Sequence, residues 1–179
     1  MRDLTAFTLA GYDKGRGRLV QALWFAVMNT VFMAWFTPAR VRVALLRAFG
    51  AEIGTGVLVR HRVRVLWPWK LTVGDHTWIG EGAWILNLEP VTLGAQVCVS
   101  QEALLCTGGH DHRAADFRYR NAPVTVDDGA WIAARATVLA GVKVGRCAVV
   151  GAGAVLHTDL PELTLHSADN RRRPVEEPV

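Results

Sequence analysis

An aliphatic residue recurs at every sixth position between Val126 and Leu156, and this period constrains the fold more than any other feature of the chain. The members of the series are Val126, Ile132, Val138, Val144, Val150 and Leu156. A period of six is neither the 3.6-residue repeat of an α-helix nor the simple alternation of a lone strand. It is typical of a solenoid, whose successive turns bury one another's apolar faces. We therefore predict short strands, with small residues or glycines such as Gly145 and Gly151 turning the corners between them.

The same register extends upstream of this series. Its earlier members are Val73, Ile79, Ile85, Leu93, Val99 and Leu105, with two extra residues between Ile85 and Leu93. Four positions after these twelve aliphatic residues, nine side chains are Thr, Ala or Val, which argues against an accidental match. Three hexapeptides per turn give a triangular coil of about 18 residues, so residues 73–161 supply about four core coils of a parallel β-helix. The predicted fold class is an all-β solenoid.

The 179 residues divide into three predicted parts, and a chain of this length usually forms one domain. Residues 1–50 form an N-terminal arm and two helices, residues 51–161 form the solenoid, and residues 162–179 form a basic tail. The solenoid is interrupted by an excursion loop over residues 107–123, which is the only long break in the pattern.

An apolar run from Ala22 to Phe36 precedes the solenoid and is interrupted only by Asn29 and Thr30. Three interpretations are open: a helix packed on the solenoid or on a neighbouring subunit, a peripheral membrane contact through residues 22–36, or a membrane span, which needs about 20 apolar residues. The basic residues before the run mimic a signal peptide, but no convincing cleavage site of small residues follows it.

A second helix is predicted between Pro38, which favours a helix start, and Gly50, which favours a helix end. Its apolar face is expected to carry Val41, Leu45, Leu46 and Phe49, with Arg40, Arg42 and Arg47 interrupting. This pattern is typical of an amphipathic helix.

Composition limits the partners and the compartment. Hydrophobic residues make up 51% of the chain and the net charge is +4, which indicates a folded protein with only mild basicity. No aromatic and basic interleaving of the RNA-binding type is evident, so we expect no nucleic-acid partner. The three cysteines, Cys98, Cys106 and Cys147, are interpreted as structural residues in a reducing compartment. We expect a cytoplasmic protein, associated with the inner face of the membrane if residues 22–36 contact lipid.

The excursion loop begins TGGHDHRAADFRYRN and holds the densest group of titratable side chains in the chain. Long loops on a rigid scaffold are usually functional. His110 is the last residue of its hexapeptide, and a neutral imidazole is a common general base, with Asp111 or a backbone carbonyl fixing its tautomer. His110 as a mere polar loop residue is the alternative. A metal site with His112 is a further hypothesis, but zinc enzymes need three protein ligands and we predict no metal.

The segments LCTGGHD, NAPVTVDDGAWIAARATVLAGVKVG and VVGAGAVL resemble the hexapeptide-repeat acyltransferases. A closer resemblance is to the colanic acid biosynthesis acetyltransferases, a branch linked to bacterial exopolysaccharide. It is carried by YDKGRGRLVQALW, LLRAFGAEIGTGVLVRHRVRV, PWKLTVGDHTWIGEGAWI and VCVSQEALLCTGGHD. The resemblance implies a left-handed parallel β-helix, a homotrimer and acetyl-coenzyme A as the acyl donor. It also implies a sugar hydroxyl as acceptor, and a lipid-linked sugar would explain the apolar run.

The resemblance also implies roles for individual residues. His110 would be the general base that takes the proton of the acceptor hydroxyl, with direct transfer in a ternary complex and no cysteine nucleophile. Coenzyme A would lie between coils of adjacent subunits. Its implied contacts are Trp131, Ala134, Gly141, Ala152 and Arg173. The acceptor-side candidates are Asn87, Glu102 and Asp111.

Two segments depart from the family pattern. Relatives read VVTKD where this chain has VLHTD at 155–159, and AGNPAR where it has ADNRRR at 168–173. The losses affect coenzyme A binding more than catalysis, and Arg173 keeps the basic place. Two other functions stay open: a non-catalytic β-helix scaffold, or a zinc-dependent γ-type carbonic anhydrase with histidines from adjacent subunits. An acceptor amine is a further alternative to the hydroxyl.

Overall fold

The computed structural model describes residues 4–8 and 11–176, and in this part of the chain short strands form three parallel sheets around a triangular solenoid. Residues 1–3 and 9–10 of the predicted arm, and residues 177–179 of the predicted tail, lie outside the described residues. The prediction of a parallel β-solenoid preceded by helices is confirmed.

Each sheet takes one parallel strand from each coil that it spans, and the second sheet also has an antiparallel strand at its C-terminal end. The first sheet contains β1 (Glu52–Ile53), β4 (Leu71–Val73), β7 (Val91–Leu93), β10 (Val124–Val126) and β13 (Lys143–Val144). The second contains β2 (Leu58–Val59), β5 (Trp78–Ile79), β8 (Cys98–Val99), β11 (Trp131–Ile132), β14 (Val149–Val150), β16 (Thr164–His166) and β17 (Arg172–Pro174). The third contains β3 (Arg64–Val65), β6 (Trp84–Leu86), β9 (Leu104–Cys106), β12 (Thr137–Val138) and β15 (Val155–Leu156).

The aliphatic series forms the core of the solenoid. All twelve predicted positions are at most 2% exposed. Parallel pairing places them in columns, so that Leu93 pairs with Val126 and Val126 pairs with Val144. Of the residues four positions later, only Glu89 and Gly109 are not buried. The period-six prediction is therefore confirmed by burial as well as by register.

Corners of successive coils are stacked and share a left-handed backbone. One column, between the first and second sheets, contains Gly56, His76, Gln96, Gly129 and Cys147. The next column, between the second and third sheets, contains Arg62, Gly82, Glu102, Arg135 and Gly153. Glycine is therefore not required at every turn.

Gly145 serves a different purpose from the one expected, since the left-handed residue of its corner is Cys147. A Cβ atom on Gly145 would lie only 2.4 Å from the backbone nitrogen of Glu162 in the next segment of chain. Gly151 lies more loosely, with 3.1 Å between its ideal Cβ and the carbonyl oxygen of His166. Glycine after a strand therefore reflects close stacking of coils rather than the turn itself.

The N-terminal helices pack on the first coil. Helix α1 (Arg18–Val27) continues into a π-helical segment (Met28–Phe32), and α2 (Ala39–Ala48) follows. The indole nitrogen of the fully buried Trp24 donates a hydrogen bond to the carbonyl of Val65 at 2.9 Å. Among residues 4–8 and 11–176, no helix has both the length and the apolar character needed to cross a membrane.

The predicted apolar face of α2 is partly wrong. Leu46 is buried as expected, but Val41 is 36% exposed whereas Arg42 is only 4% exposed. The Arg42 guanidinium donates from Nε to the Phe32 carbonyl at 2.8 Å and from Nη2 to the Ala34 carbonyl at 2.5 Å. Carbonyls at a helix end lack partners within the helix, so a buried arginine that supplies donors is stabilised there.

Beyond Pro161, where the sequence pattern stops, the sheet continues. Strand β16 pairs in parallel with β14, and β17 then pairs antiparallel with β16. Part of the segment expected to be a basic tail is therefore strand, and Arg173 lies within it.

Candidate active site

The excursion loop is anchored where it leaves the solenoid. Thr107, which follows β9 and is fully buried, donates from Oγ1 to the Leu86 carbonyl at 3.1 Å and accepts from the backbone nitrogen of Glu89 at 2.9 Å. The side-chain oxygen of Asn121 accepts from the backbone nitrogen of Gly109 at 3.1 Å. Both ends of the loop are thus tied together at a corner of the solenoid.

Within the loop the backbone forms a narrow antiparallel pair. His110 and Tyr119 form an isolated bridge, and the Asp111 nitrogen donates to the Arg118 carbonyl at 2.9 Å. The position of His110 is consequently set by backbone pairing on both sides.

His110 is exposed and its ring is held in a defined orientation. Its Nδ1 lies 2.7 Å from the carbonyl oxygen of Phe117. A carbonyl oxygen can only accept, so in the neutral imidazole Nδ1 carries the hydrogen and Nε2 carries the lone pair. Asp111 or a backbone carbonyl was expected to fix the tautomer, and in the structure the partner is the backbone carbonyl of Phe117. The arrangement leaves Nε2 as the ring nitrogen that can accept a proton.

Aromatic rings surround this imidazole. The ring of Phe117 stacks on His110 with centroids 4.2 Å apart and planes 1° apart, and Tyr119 lies 5.0 Å away. Phe7 of the N-terminal arm completes the group, with its ring centroid 5.4 Å from that of His110 and 5.2 Å from that of Tyr119. We call His110, Phe7, Phe117 and Tyr119 the aromatic cluster. The imidazole is therefore packed against three aromatic side chains, two from its own loop and one from the arm.

Sequence reasoning missed the three aromatic members of this cluster. Phe117 and Tyr119 are two positions apart, as expected for side chains on one face of a strand, and this spacing was the available signal. Nothing local marked Phe7, because its contact joins segments that are distant in sequence. Tyr12 continues the link, with its ring centroid 5.4 Å from that of Tyr119 and its hydroxyl bonded to the indole of Trp67.

Asp111 is turned toward its own loop. Its Oδ1 accepts from the backbone nitrogen of Arg113 at 2.9 Å. That hydrogen bond is the main cause that lowers the pKa of the Asp111 carboxyl below its ordinary value. The carboxylate is therefore ionised near neutral pH, and its place as an acceptor contact stays a prediction.

Asn87 does not lie where an acceptor contact would be expected. Its side chain is fully buried. Its Oδ1 accepts from the Trp67 nitrogen at 2.9 Å, and its Nδ2 donates to the Trp67 and Lys70 carbonyls at 2.6 Å and 3.2 Å. The amide thus satisfies the backbone of the Pro68–Lys70 turn, which gives Asn87 a structural position in place of the suggested one.

Glu102 lies at the corner before β9, whereas His110 follows the end of that strand. Its Oε2 accepts from Nε of Arg135 at 2.7 Å, and this hydrogen bond is the main cause that lowers the pKa of Glu102. The carboxylate borders a groove that also includes Arg64, Trp84 and Thr137. The groove runs along the outer row of the third sheet, where Arg64, Trp84 and Thr137 lie.

The candidate coenzyme A contacts fall into two groups. Trp131 and Arg173 share one row of the second sheet through the pairs Trp131–Val149, Val149–Leu165 and Leu165–Arg173. Trp131 is 47% exposed and donates from its indole to Ser100 Oγ at 2.9 Å. Ala134 and Ala152 stack at the adjoining corner, where the Ala134 carbonyl accepts from the Gly153 nitrogen at 2.9 Å.

Gly141 belongs to the other group, at the corner that carries the excursion loop. Its backbone has a φ of 82°, and its nitrogen donates to the Pro123 carbonyl at 3.1 Å. One protomer therefore holds Gly141 and His110 at one corner, and Trp131, Ala134, Ala152 and Arg173 around another. Within residues 4–8 and 11–176, no three His, Cys, Asp or Glu side chains gather as metal ligands.

The first of the two segments that depart from the family pattern, residues 155–159, contacts the C-terminal strand β17. Thr158 accepts a hydrogen bond at Oγ1 from Nη2 of Arg172 at 2.7 Å. His157 and Arg173 are exposed. Arginine side chains of the C-terminal strand thus lie beside the changed motif.

Comparison with known proteins agrees with this architecture. The family model for the bacterial transferase hexapeptide (six repeats) matches residues 123–158. WcaF of Escherichia coli strain K12, an inferred colanic acid biosynthesis acetyltransferase, is 38% identical over 163 residues, which span 90% of this chain and 89% of WcaF.

Solved structures share the fold. The hexapeptide-repeat acetyltransferase VCA0836 of Vibrio cholerae, complexed with acetyl-coenzyme A, has a TM-score of 0.82 at 21% identity, over 96% of this chain and 93% of that one. A galactoside acetyltransferase in complex with coenzyme A has a TM-score of 0.78 at 19% identity, over 99% of this chain and 92% of that one. The identity to WcaF over nearly the whole of both chains, with the repeats and the fold, shows that this protein belongs to the hexapeptide-repeat acetyltransferases.

Proposed function

We propose that this protein transfers an acetyl group from acetyl-coenzyme A to a sugar hydroxyl of an exopolysaccharide precursor, with His110 as the general base. The observation that carries the proposal is the 2.7 Å contact between His110 Nδ1 and the Phe117 carbonyl, which makes Nε2 the basic atom. The likeness to WcaF supports the substrate class, and acetyl-coenzyme A is the ligand of the similar V. cholerae structure.

The proposed reaction uses this geometry. Nε2 of His110 takes the proton of the acceptor hydroxyl while the hydroxyl oxygen attacks the thioester carbonyl carbon. The tetrahedral oxyanion is stabilised by backbone N–H donors, and its collapse breaks the C–S bond and expels coenzyme A, which receives the proton back from His110. The Phe117 carbonyl and the aromatic faces stabilise the transient imidazolium. No cysteine nucleophile takes part.

A homotrimer would unite the two groups of candidate residues. His110 and Gly141 of one protomer would face Trp131, Ala134, Ala152 and Arg173 of its neighbour across a groove that holds coenzyme A. The outer row of the second sheet supports this assembly because it is largely apolar: Leu58, Trp78, Cys98, Trp131, Val149 and Leu165. The matching row of the first sheet is polar: Glu52, Thr72, Thr92, Thr125 and Lys143.

Glu102 and Asp111 are the acceptor contacts that we retain, since both carboxylates are accessible. Hydroxyl groups of sugars are bound by such acceptors of hydrogen bonds. A lipid-linked sugar as acceptor, and with it a cytoplasmic protein associated with the inner face of the membrane, belongs to the same proposal.

The test combines binding and turnover. Acetyl-coenzyme A binding is measured by calorimetry, and acetyl transfer to a panel of sugars by release of free thiol, for the wild type and His110→Ala. Binding should be unchanged, and turnover should fall by about 10²–10⁴-fold. His112→Ala is the matched control, because His112 lies in the same loop outside the aromatic cluster, and it should retain turnover.

Three results would count against the proposal. Undiminished turnover in His110→Ala would remove its role as the base. Failure of the wild type to bind acetyl-coenzyme A would favour the non-catalytic scaffold instead. Stoichiometric zinc in the purified protein would favour the carbonic anhydrase alternative.

A further inference from the structure

The helices at the start of the chain leave a large apolar surface uncovered. Helix α1 has polar side chains only at Arg18 and Gln21. Its inner face buries Trp24, but its outer face and the turn before α2 expose large apolar side chains. These are Leu19 at 87%, Leu23 at 58%, Phe25 at 58%, Trp35 at 79% and Phe36 at 64% exposed, and we call them the apolar cap. Several large apolar side chains exposed on one segment of a folded protein point to an interaction site.

The polar residues within this run bond to the helix itself. Asn29 donates from Nδ2 to the Phe25 carbonyl at 2.7 Å, and Thr30 donates from Oγ1 to the Ala26 carbonyl at 2.8 Å. Side chains whose donors are satisfied internally cost little when they leave water. The two interruptions seen in the sequence therefore do not oppose an apolar environment.

Charge distinguishes the kind of partner. Residues 14–51 contain Lys14, Arg16, Arg18, Arg40, Arg42 and Arg47, and no Asp or Glu. The rest of the chain holds 14 basic and 16 acidic residues, so the excess positive charge lies in this segment. Arg42 is buried, whereas Arg16, Arg18 and Arg40 are exposed beside the apolar cap in sequence. Cations next to exposed aromatic and aliphatic side chains match an anionic lipid surface.

The cap is held in one orientation by the solenoid. The indole of Trp24 donates to the Val65 carbonyl, and the guanidinium of Arg42 donates to the carbonyls of Phe32, which ends the π-helical segment, and of Ala34. A partner therefore meets a prearranged surface, which lowers the entropy lost on binding. A second copy of this chain is the less suitable partner. Such a contact would bring together two copies of residues 14–51, which carry basic residues and no Asp or Glu, and the like charges would repel.

We propose that the apolar cap and its flanking arginines dock the protein on an anionic phospholipid bilayer. The leucine and aromatic side chains enter the interfacial region, and Arg16, Arg18 and Arg40 contact lipid phosphates. Docking does not depend on the chemistry at His110, so it holds or fails separately from the proposed acetyl transfer.

Co-sedimentation with vesicles tests the proposal on the full chain. The vesicles are phosphatidylcholine alone, or phosphatidylcholine mixed with phosphatidylglycerol. The wild type should bind the mixed vesicles. Binding should decline with added salt, because the Debye length falls to about 10 Å at 0.1 M ionic strength and the attraction between arginines and lipid phosphates weakens. Leu19→Ser/Leu23→Ser should bind at least about tenfold more weakly, because each removed methylene loses its transfer to lipid. Arg16→Gln/Arg18→Gln should lose the preference for phosphatidylglycerol.

Matched controls separate the surface from general effects. Leu4 is also an exposed leucine, at 65%, but lies outside the cap, so Leu4→Ser should bind as the wild type does. His110→Ala should bind equally, whatever its turnover. Circular dichroism confirms that each variant is folded.

Two outcomes would overturn the proposal. One is absence of wild-type binding to the mixed vesicles. The other is equal binding by the wild type and Leu19→Ser/Leu23→Ser. If the molar mass of that variant by light scattering also differed from the wild type, the cap would be assigned to contact between copies.

Discussion

His110 lies within the excursion from the solenoid and Val126 follows it in the next coil, and different contacts hold each in place. Val126 is enclosed by its own column, with Leu93 below and Val144 above. His110 is held by Phe117 and Tyr119 of its loop and by Phe7 from the N-terminal arm. The coils repeat one backbone pattern, so each core residue packs against the equivalent residues of the coils before and after it. The loop is supported by contacts that occur once, which is where chemistry can differ from the repeat.

This comparison predicts that changes in the coils alter stability, whereas changes in the loop and arm alter turnover. The largest effect on stability should come from Val150→Ala, because Val150 is fully buried in its column. Lost burial and the cavity left behind should lower the free energy of unfolding by about 2–4 kcal/mol. Val155→Ala is the matched control, since Val155 is 48% exposed, and it should cost under about 0.5 kcal/mol. Urea unfolding of both variants measures the difference, and equal losses would contradict it.

A second prediction concerns the stacking of coils. A Cβ on Gly74 would lie 2.5 Å from the backbone nitrogen of Ala95, whereas one on Gly17 would meet nothing within 4 Å. Because backbone cannot move aside as a flexible side chain can, Gly74→Ala should destabilise the fold by about 1–3 kcal/mol. Gly17→Ala should be close to neutral. Thermal unfolding of the pair decides the matter, and a harmless Gly74→Ala would show that the coils can separate.

The third prediction addresses the arm. The ring of Phe7 contacts those of His110 and Tyr119, and Phe7 is not part of the buried core, so Phe7→Ala should largely spare the free energy of unfolding. Loss of its ring contacts, worth about 0.5–1.5 kcal/mol, should lower kcat by up to about tenfold with little change in KM for acetyl-coenzyme A. Leu4→Ala is the control within the same arm. A pH profile of kcat that shifts in Phe7→Ala would indicate that the ring also acts on the His110 imidazolium, and an unchanged kcat would separate the arm from catalysis.

The same contrast explains what the sequence predicted. Strands, columns and the site of the excursion followed from a period of six, because a repeated local pattern determines repeated contacts. His110 was identifiable because it stands where that pattern breaks. The carbonyl of Phe117 was anticipated only as one of two kinds of partner, since a loop backbone has no period from which its path could be predicted.

Residues whose contacts are distant and unrepeated were not predictable in this way. Phe7 reaches His110 from the far end of the sequence, and Arg42 is buried because the preceding helix ends in π-helical form with carbonyls to satisfy. Asn87 is predicted on the acceptor side, but its side-chain amide forms hydrogen bonds with the backbone of Trp67 and Lys70 at the Pro68–Lys70 turn. Each miss involves a polar or aromatic group whose partner lies in a segment without the repeat.

The smallest expected effect is at a corner of the coils, where Glu102 and Arg135 form an exposed pair at 2.7 Å. The hydrogen bond from Arg135 lowers the pKa of Glu102 below its ordinary value of 4.5, so the folded state favours the ionised carboxylate. The stabilisation is therefore present above that value and is lost as the pH falls through the lower pKa of the folded state. Glu102→Gln should lower Tm slightly at neutral pH, and its difference from the wild type should shrink in acid. Arg135→Gln should show the same pH dependence, because it removes the other partner. If the difference in Tm did not change with pH, the corner would be stabilised by packing alone, as the columns are, and the pair would contribute nothing to it.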